Sequence, residues 1–440
     1  YFSGNRHRRP VTVTNPTRNC EDIMAQVTYL PGFGVPHHPQ YSGFITVEDY
    51  TQSNLFFWLF QSSNSDIPLK RTPLVIWLQG GPGSSSLYGL FAENIGPYTV
   101  DEQLNLSSNP YSWHQHAHLM FVDYPVGTGF SYTNDPNRYV RNDKEGAQDF
   151  IRFLTLFYKK FPEYQACDLF LTGESYAGKY IPTIAYHIIK WNEQANGEDA
   201  MINLEGIALC GPWTHPEAQI PGYTDHAHHH GLLNAEQKRK ADRLMEKVME
   251  LMEKGRMLES TQAWDQVAEF IYGSGGSFSP YDVRDFSGQA DLPLPFDKWL
   301  TLPEVRQALH VGDKIFNEDD GKSVFDALRA DDMVSSLQYL QEVVRHSRVL
   351  LFNGQFDWIC NYIGVETMLE GYLEWDGQRE YLNGENVEWK VDGTVAGYVR
   401  SGSSLTHVLV MNAGHMVPAD QPSHAFDMIK RFLNDLPFVS

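Results

Sequence analysis

Apolar residues in this chain gather in short unbroken runs: Leu74–Leu78, Leu119–Val122, Leu169–Thr172, Ile207–Leu209, Val349–Phe352 and Thr406–Met411. Runs of strand length without polar alternation belong to strands covered on both faces, which is the signature of a parallel sheet. Two earlier stretches, Tyr41–Val47 and Asn54–Phe60, read as a strand pair in a Pro- and Gly-rich opening segment. Helical spacing lies between the runs. Asn142 can cap a helix with Ala147, Phe150, Ile151, Leu154, Phe157, Tyr158 and Phe161 on one face, ended by Pro162. The segment Pro422–Leu433 repeats the pattern with Ala425, Met428, Ile429 and Phe432. Strands alternating with helices predict an α/β fold, a mostly parallel central sheet flanked by helices.

The alternation breaks after about Pro212. Asn234–Arg256 and Leu258–Tyr272 are charged, Met-rich and helical, with Ala241, Leu244, Met245, Val248, Leu251 and Met252 on one face. The Gly/Ser stretch Gly273–Ser279, then Pro293 and Pro295, follow. This predicts a core over 1–211, a helical cap insertion over 212–300 covering one end of the sheet, and the rest of the core over 301–440.

Composition narrows the class. The 440 residues are 42% hydrophobic and 20% charged, enough for a large core. A net charge of −21 argues against nucleic acid or an anionic membrane surface as partner. No apolar run approaches the roughly 20 residues of a membrane helix. The chain opens at Tyr1 rather than Met, which fits a removed secretory leader. Cys20, Cys167, Cys210 and Cys360 form no CxxC pair and predict no zinc site, and Asn105-Leu106-Ser107 is the one glycosylation sequon.

The sharpest chemical feature is Leu169-Phe170-Leu171-Thr172-Gly173-Glu174-Ser175-Tyr176-Ala177-Gly178. A strand runs into a small-residue turn with Ser175 at its apex, and a helix begins near Tyr176. That layout exposes a serine hydroxyl at a helix N-terminus, where backbone N–H groups can hold an oxyanion. Two further strand ends deliver Asp357, in Asn353-Gly354-Gln355-Phe356-Asp357, and His415, in Asn412-Ala413-Gly414-His415. A serine hydroxyl attacks poorly until a histidine takes its proton, and the histidine needs a carboxylate to fix its tautomer. The order Ser175, Asp357, His415 is that of an α/β-hydrolase triad. A turn-forming aspartate and a core histidine would not account for three strand-end placements in that order. At another strand end, Trp77-Leu78-Gln79-Gly80-Gly81-Pro82-Gly83-Ser84-Ser85-Ser86 has the glycines of an oxyanion loop and lacks the Gly-Lys-Ser/Thr of a phosphate loop.

In combination, Trp77–Ser86, Asp123-Tyr124-Pro125-Val126-Gly127-Thr128-Gly129-Phe130-Ser131-Tyr132, Gly173–Gly178, Phe352–Asn361 and Gly414–Pro422 resemble the serine carboxypeptidases. Gln79, the stretch Leu302–Gly312 and Val395–Arg400 resemble the vitellogenic-like branch of that family. The resemblance implies an α/β-hydrolase fold and a triad of Ser175, Asp357 and His415. It implies an oxyanion hole from the N–H groups of Gly81 and Tyr176, and Gln79, Glu93 and Glu174 binding the substrate's terminal carboxylate. It further implies single-residue trimming of peptide or protein C-termini without cofactor or metal, in a secreted or lysosomal/vacuolar setting. A homodimer is allowed.

Two neighbouring carboxyl groups cannot both ionise cheaply, so one keeps a proton that can bond a substrate carboxylate, and turnover should favour acid. Acyl transfer to an alcohol and a non-catalytic binding role are the rival readings. Ser84 departs from the family, standing where many members carry a cysteine bonded to the cap, whereas Cys360 matches the family's lone cysteine after the triad aspartate. Cys20, Cys167 and Cys210 have no assigned partners. Asp225–His230 reads as a solvated, pH-sensitive face rather than a metal site, and His37-His38 as loop.

Overall fold

The computed structural model describes residues 24–195, 197, 201–287 and 293–438, so Tyr1 and Cys20 lie outside the described residues. The strands are β1 (Met24–Gln26), β2 (Gln40–Glu48), β3 (Ser53–Phe60), β4 (Leu74–Leu78), β5 (Tyr98–Val100), β6 (Leu106–Ser108), β7 (His118–Val122), β8 (Leu169–Glu174), β9 (Leu204–Cys210), β10 (Arg348–Gly354), β11 (Val387–Val391), β12 (Thr394–Gly402) and β13 (Leu405–Val410). Strands β5 and β6 form a separate pair, and the other strands make one 11-stranded sheet in the order β1-β2-β3-β7-β4-β8-β9-β10-β13-β12-β11. The stretch β7-β4-β8-β9-β10-β13 is parallel throughout, with antiparallel strands at both flanks. Every position of β4, β7 and β8 is buried, which is why those runs carry no polar alternation.

Alternate positions of each strand feed two cores. After a short α1 (Leu87–Phe91) come α2 (Asp143–Lys160) and α3 (Ala177–Gln194), and Ile76, Leu78, Met120 and Leu171 face one side, against α2 and α3. Val75, Trp77, Phe170, Leu350 and Phe352 face the other, packed with Met428, Ile429 and Phe432 of the helix Pro422–Leu433. Helix α2 starts where Asn142 Oδ1 accepts the Glu145 N–H at 3.0 Å, and it ends at Phe161 before Pro162. Among the described residues no helix is long and apolar enough to cross a membrane.

After β9 the chain does not rejoin the sheet until Arg348. The intervening stretch includes α4 (Pro216–Gln219), α5 (Gly222–His229), α6 (Ala235–Glu253), α7 (Met257–Gly275) and α8 (Pro295–Thr301). Asn234 begins α6 with a capping box closed by Gln237. Helix α7 stacks Trp264 on Trp358 at 5.8 Å between ring centroids, and Trp358 Nε1 donates to the Tyr223 carbonyl of α5 at 3.1 Å. The helices therefore rest on the loop that follows β10. The boundary drawn at residue 300 falls inside α8, whose Trp299 lies in the second core, stacked 6.5 Å from Trp58. Helical structure continues to His346.

Two expectations need correction. Leu244 is exposed, because the buried stripe of α6 runs through Ala241, Met245, Val248 and Leu251. In the Asp225–His230 cluster His229 is exposed and Asp225, His228 and His230 are half-buried, but His226 departs from a solvated face. His226 is fully buried, its ring 4.1 Å from that of His230 and its Nε2 3.4 Å from the Gln355 carbonyl. Burial, reinforced by the neighbouring His230, pushes the His226 pKa down to about 3. A histidine that stays neutral when folded but takes up a proton below 6.5 when unfolded costs stability as pH falls through 6.5. Between pH 7.5 and pH 4.5, the urea midpoint of His226→Phe should fall less than that of the wild-type protein.

Candidate active site

Strand β8 ends at Glu174 and α3 begins at Ala177, leaving Ser175 at the apex with φ of 63°. A serine held in the left-handed region is strained, so its surroundings must over-determine it. Its N–H donates to the Cys210 carbonyl at 3.0 Å, and its own carbonyl accepts from the Gly178 and Trp213 N–H groups, both at 2.9 Å. The adjoining loop comes so close that a Cβ on Gly80 would stand 2.5 Å from the Tyr176 nitrogen and 2.6 Å from the Glu174 carbonyl oxygen. Ser175 itself is half-buried, whereas Glu174 and Tyr176 on either side are buried.

Strands β10 and β13 are parallel neighbours, with Gly354 opposite Val410, so the loops that leave them emerge side by side. His415 Nδ1 donates to Asp357 Oδ2 at 2.7 Å, with both side chains buried. Asp357 Oδ1 accepts the Cys360 N–H at 3.0 Å. That pairing fixes the His415 tautomer, leaving Nε2 as the lone-pair nitrogen, and among the described residues Nε2 has no hydrogen-bond partner. It lies 3.8 Å from Glu174 Oε1. Burial lifts the Cys360 thiol pKa well above its ordinary value and the nearby Asp357 charge adds to this, while a hydrogen bond with Ser175 opposes it. Cys210 Sγ donates to the His415 carbonyl at 3.3 Å.

Gln79, Glu93 and Glu174 meet beside this pair. The Trp77 Nε1–H donates to Gln79 Oε1 at 2.8 Å, which turns the amide so that Nε2 donates to Glu93 Oε1 at 2.8 Å and to Glu174 Oε1 at 3.0 Å. Glu93 is only 2% exposed, so it is no surface helix residue. Burial raises both carboxyl pKa values, that of Glu174 well above its ordinary range because the Glu93 charge adds to burial. The two carboxyls are hydrogen-bonded and titrate as a pair, so together they hold a proton above the usual carboxylate range. The Oε2 atoms of both glutamates, like His415 Nε2, have no partner among the described residues. A substrate's terminal carboxylate is chemically suited to that gap.

Gly81, with φ of 109°, and Tyr176 have backbone N–H groups without a hydrogen-bond partner among the described residues. Sequence reasoning passed over two supports. Asp123, quoted only as part of a motif, accepts from Ser85 Oγ at 2.5 Å, the Ser86 N–H at 3.0 Å and the Phe130 N–H at 2.8 Å, pinning the Gln79–Ser86 loop. Burial pushes its carboxyl up to about 7. Pro280–Val283 bonds to the loops of both Asp357 and His415, and nothing in its local sequence signals this.

Residues 31–435 match the family model described as serine carboxypeptidase. The chain is 38% identical over 421 residues to the Homo sapiens protein named "Probable serine carboxypeptidase CPVL", covering 93% of this chain and 86% of the relative. It is 34% identical to "Vitellogenic carboxypeptidase" of Aedes aegypti, covering 89% and 83%. Among solved structures, KEX1(delta)P, a prohormone-processing carboxypeptidase from Saccharomyces cerevisiae, superposes with a TM-score of 0.81 at 27% identity, over 90% of this chain and 92% of that one.

A buried carboxyl whose pKa is raised on folding contributes stability that is present at low pH and lost as pH rises above its ordinary value of 4.5. Glu174→Gln removes that titration. Its stability relative to the wild-type protein, measured by urea unfolding, should therefore be higher at pH 8 than at pH 5.

Proposed function

The chain belongs to the serine carboxypeptidase family, and on that premise we propose that Ser175 is the nucleophile, His415 the general base and Asp357 the residue that orients it. As a serine-type carboxypeptidase the protein hydrolyses peptide bonds at C-termini. Ser175 Oγ attacks the last peptide carbonyl while His415 Nε2 takes the hydroxyl proton, and the N–H groups of Gly81 and Tyr176 receive the oxyanion. The same proton then passes to the departing amine, releasing the terminal residue. Water, deprotonated by His415, cleaves the acyl-enzyme and restores Ser175.

The observation that carries this reading is the pair of buried carboxyls held together by Gln79, with Glu174 Oε1 3.8 Å from His415 Nε2. The proton held by the carboxyl pair, which the Gln79 amide orients, can bond a carboxylate, and a terminal carboxylate sited there puts the final peptide bond beside Ser175. Raising the pH strips the pair of protons and sets negative charge against the substrate's own. Binding is therefore strongest in acid, which fits a secreted or lysosomal/vacuolar setting and modification of the exposed Asn105. The helices over 212–300 act as a cap above this site. Acyl transfer to an alcohol is not favoured, because a clamp for a free carboxylate serves peptide ends.

N-blocked peptides followed by mass spectrometry at about pH 5 and about pH 7.5 test this. Ser175→Ala should lower kcat on the order of a millionfold. For wild-type enzyme KM should rise with pH, and C-terminally amidated peptides should lack that rise. Glu174→Gln should flatten the rise. Glu174→Ala, which removes the donor, should raise KM at pH 5 by about tenfold to a hundredfold, the equivalent of one hydrogen bond to a charged group at about 1.5–3 kcal/mol. Equal trimming by Ser175→Ala would overturn the reading.

A further inference from the structure

The loops of Asp357 and His415 are joined by a third segment, Ser279–Asp285, contributed by the helical insertion rather than by the sheet. The Pro280 carbonyl accepts the Trp358 and Ile359 N–H groups at 3.2 and 3.0 Å, and the Val283 N–H donates to the Phe356 carbonyl at 3.0 Å. These bonds bracket Asp357 on both sides. The Tyr281 carbonyl accepts the His415 N–H at 2.7 Å, and the Tyr281 ring lies 5.6 Å from the His415 ring. At Gly414 a Cβ would stand 2.5 Å from that same Tyr281 oxygen, so the contact tolerates no side chain there.

The segment is itself a closed turn. The Ser279 N–H donates to the Asp285 carbonyl at 2.7 Å, and the Asp285 N–H to the Asp282 carbonyl at 2.9 Å. Arg284 grips Asp282 through Nε at 2.9 Å and Nη2 at 2.6 Å, and its guanidinium stacks 4.3 Å over the Phe356 ring. It also faces Asp420, whose Oδ2 accepts the Gly414 N–H at 2.6 Å. One guanidinium thus ties the strap to the loop before Asp357 and to the carboxylate that holds the loop before His415. Bidentate, stacked arginine geometry is stiff, which suits a spacer better than a mobile lysine would.

We propose that Ser279–Asp285 is a positioning strap through which the insertion sets the separation of Asp357 and His415, with Arg284 its positioning residue. The sheet brings the two loops to neighbouring strand ends, and the strap fixes their last ångström. Small displacements matter because proton transfer depends steeply on geometry. Catalytic competence is then coupled to the seating of the insertion: a shift of the helices displaces the strap and changes the spacing of Asp357 and His415.

The inference rests on the roles assigned above to Asp357 and His415. Its test is Arg284→Ala in the full chain, with kcat referred to active sites counted by fluorophosphonate stoichiometry. The expected result is a kcat lower by about tenfold or more, with KM within about twofold. The far-downfield proton resonance of the carboxylate-held histidine N–H should shift or exchange faster. Arg284→Lys, which keeps the charge but not the fork, should give an intermediate kcat, and it carries the test should the alanine variant fail to fold. Unchanged kcat per active site and an unchanged proton resonance would overturn the strap. Absence of Ser175-dependent trimming by the wild-type enzyme would instead overturn the triad reading beneath it.

Discussion

The hydrogen bond from His415 Nδ1 to Asp357 Oδ2, at 2.7 Å between buried groups, is the contact around which the rest of the site is arranged. Fifty-eight residues separate its partners in sequence, so no local preference makes it. Parallel pairing of β10 with β13 delivers both loops to one edge. Close approach then leaves no room for a Cβ at Gly211, which would stand 2.9 Å from Asp357 Oδ2 and 3.0 Å from His415 Nδ1. Helices of the insertion and the Pro280–Val283 segment close the arrangement from the solvent side. Remove any of these and the histidine retains its chemistry but loses its aim.

Buried charge near the elbow is handled in two different ways. Lys179, one helical turn beyond Ser175, is wholly buried and paired with Asp143 at 3.2 Å and Asp331 at 3.4 Å, and its Nζ donates to the Val334 carbonyl at 2.5 Å. Desolvating such ions costs several kcal/mol each, and removing one partner costs about 3–5 kcal/mol because the other charge is stranded. The cluster therefore locks α3 to the start of α2 and to the 331–334 turn. The carboxyl pair takes the opposite route. Among the described residues no Lys or Arg pairs with it, and the two carboxyls limit their charge by holding a proton, which leaves a donor that the site can use.

Much of this was legible in the chain. Unbroken apolar runs announced strands covered on both faces, and the polar residues that follow them, at Ser175, Asp357 and His415, announced chemistry at strand ends. Asn142 and Pro162 marked helix ends by local chemistry alone. What escaped was set by tertiary contact. β11 and β12 form a hairpin whose outer strand carries exposed Val387, Glu388 and Lys390, so its pattern is not that of a covered strand. Leu244 and His226 exchange expected environments, because burial depends on which way α5 and α6 lean, and no residue in either helix states that. The strap is invisible for the same reason: its bonds are made by backbone carbonyl and N–H groups, which every sequence possesses.

Proton uptake by the fold runs in two opposed directions. His226 and His407 are pushed down to about 3, and His114, His116 and His215 to about 4, in each case chiefly by burial. Below 6.5 the unfolded chain binds these protons and the folded one does not, so this set weakens the fold as pH falls. Asp123 is pushed up to about 7, and Glu93 and Glu174 are raised as well. Above about 4 the folded chain holds protons on this set that the unfolded chain has released, so these carboxyls weaken the fold as pH rises. Between roughly pH 4 and 6.5 the two slopes act together with opposite sign. Stability is thereby buffered across that interval. A carboxylate clamp that works in acid needs a scaffold that tolerates acid, and the buried carboxyls supply part of that tolerance against the histidines.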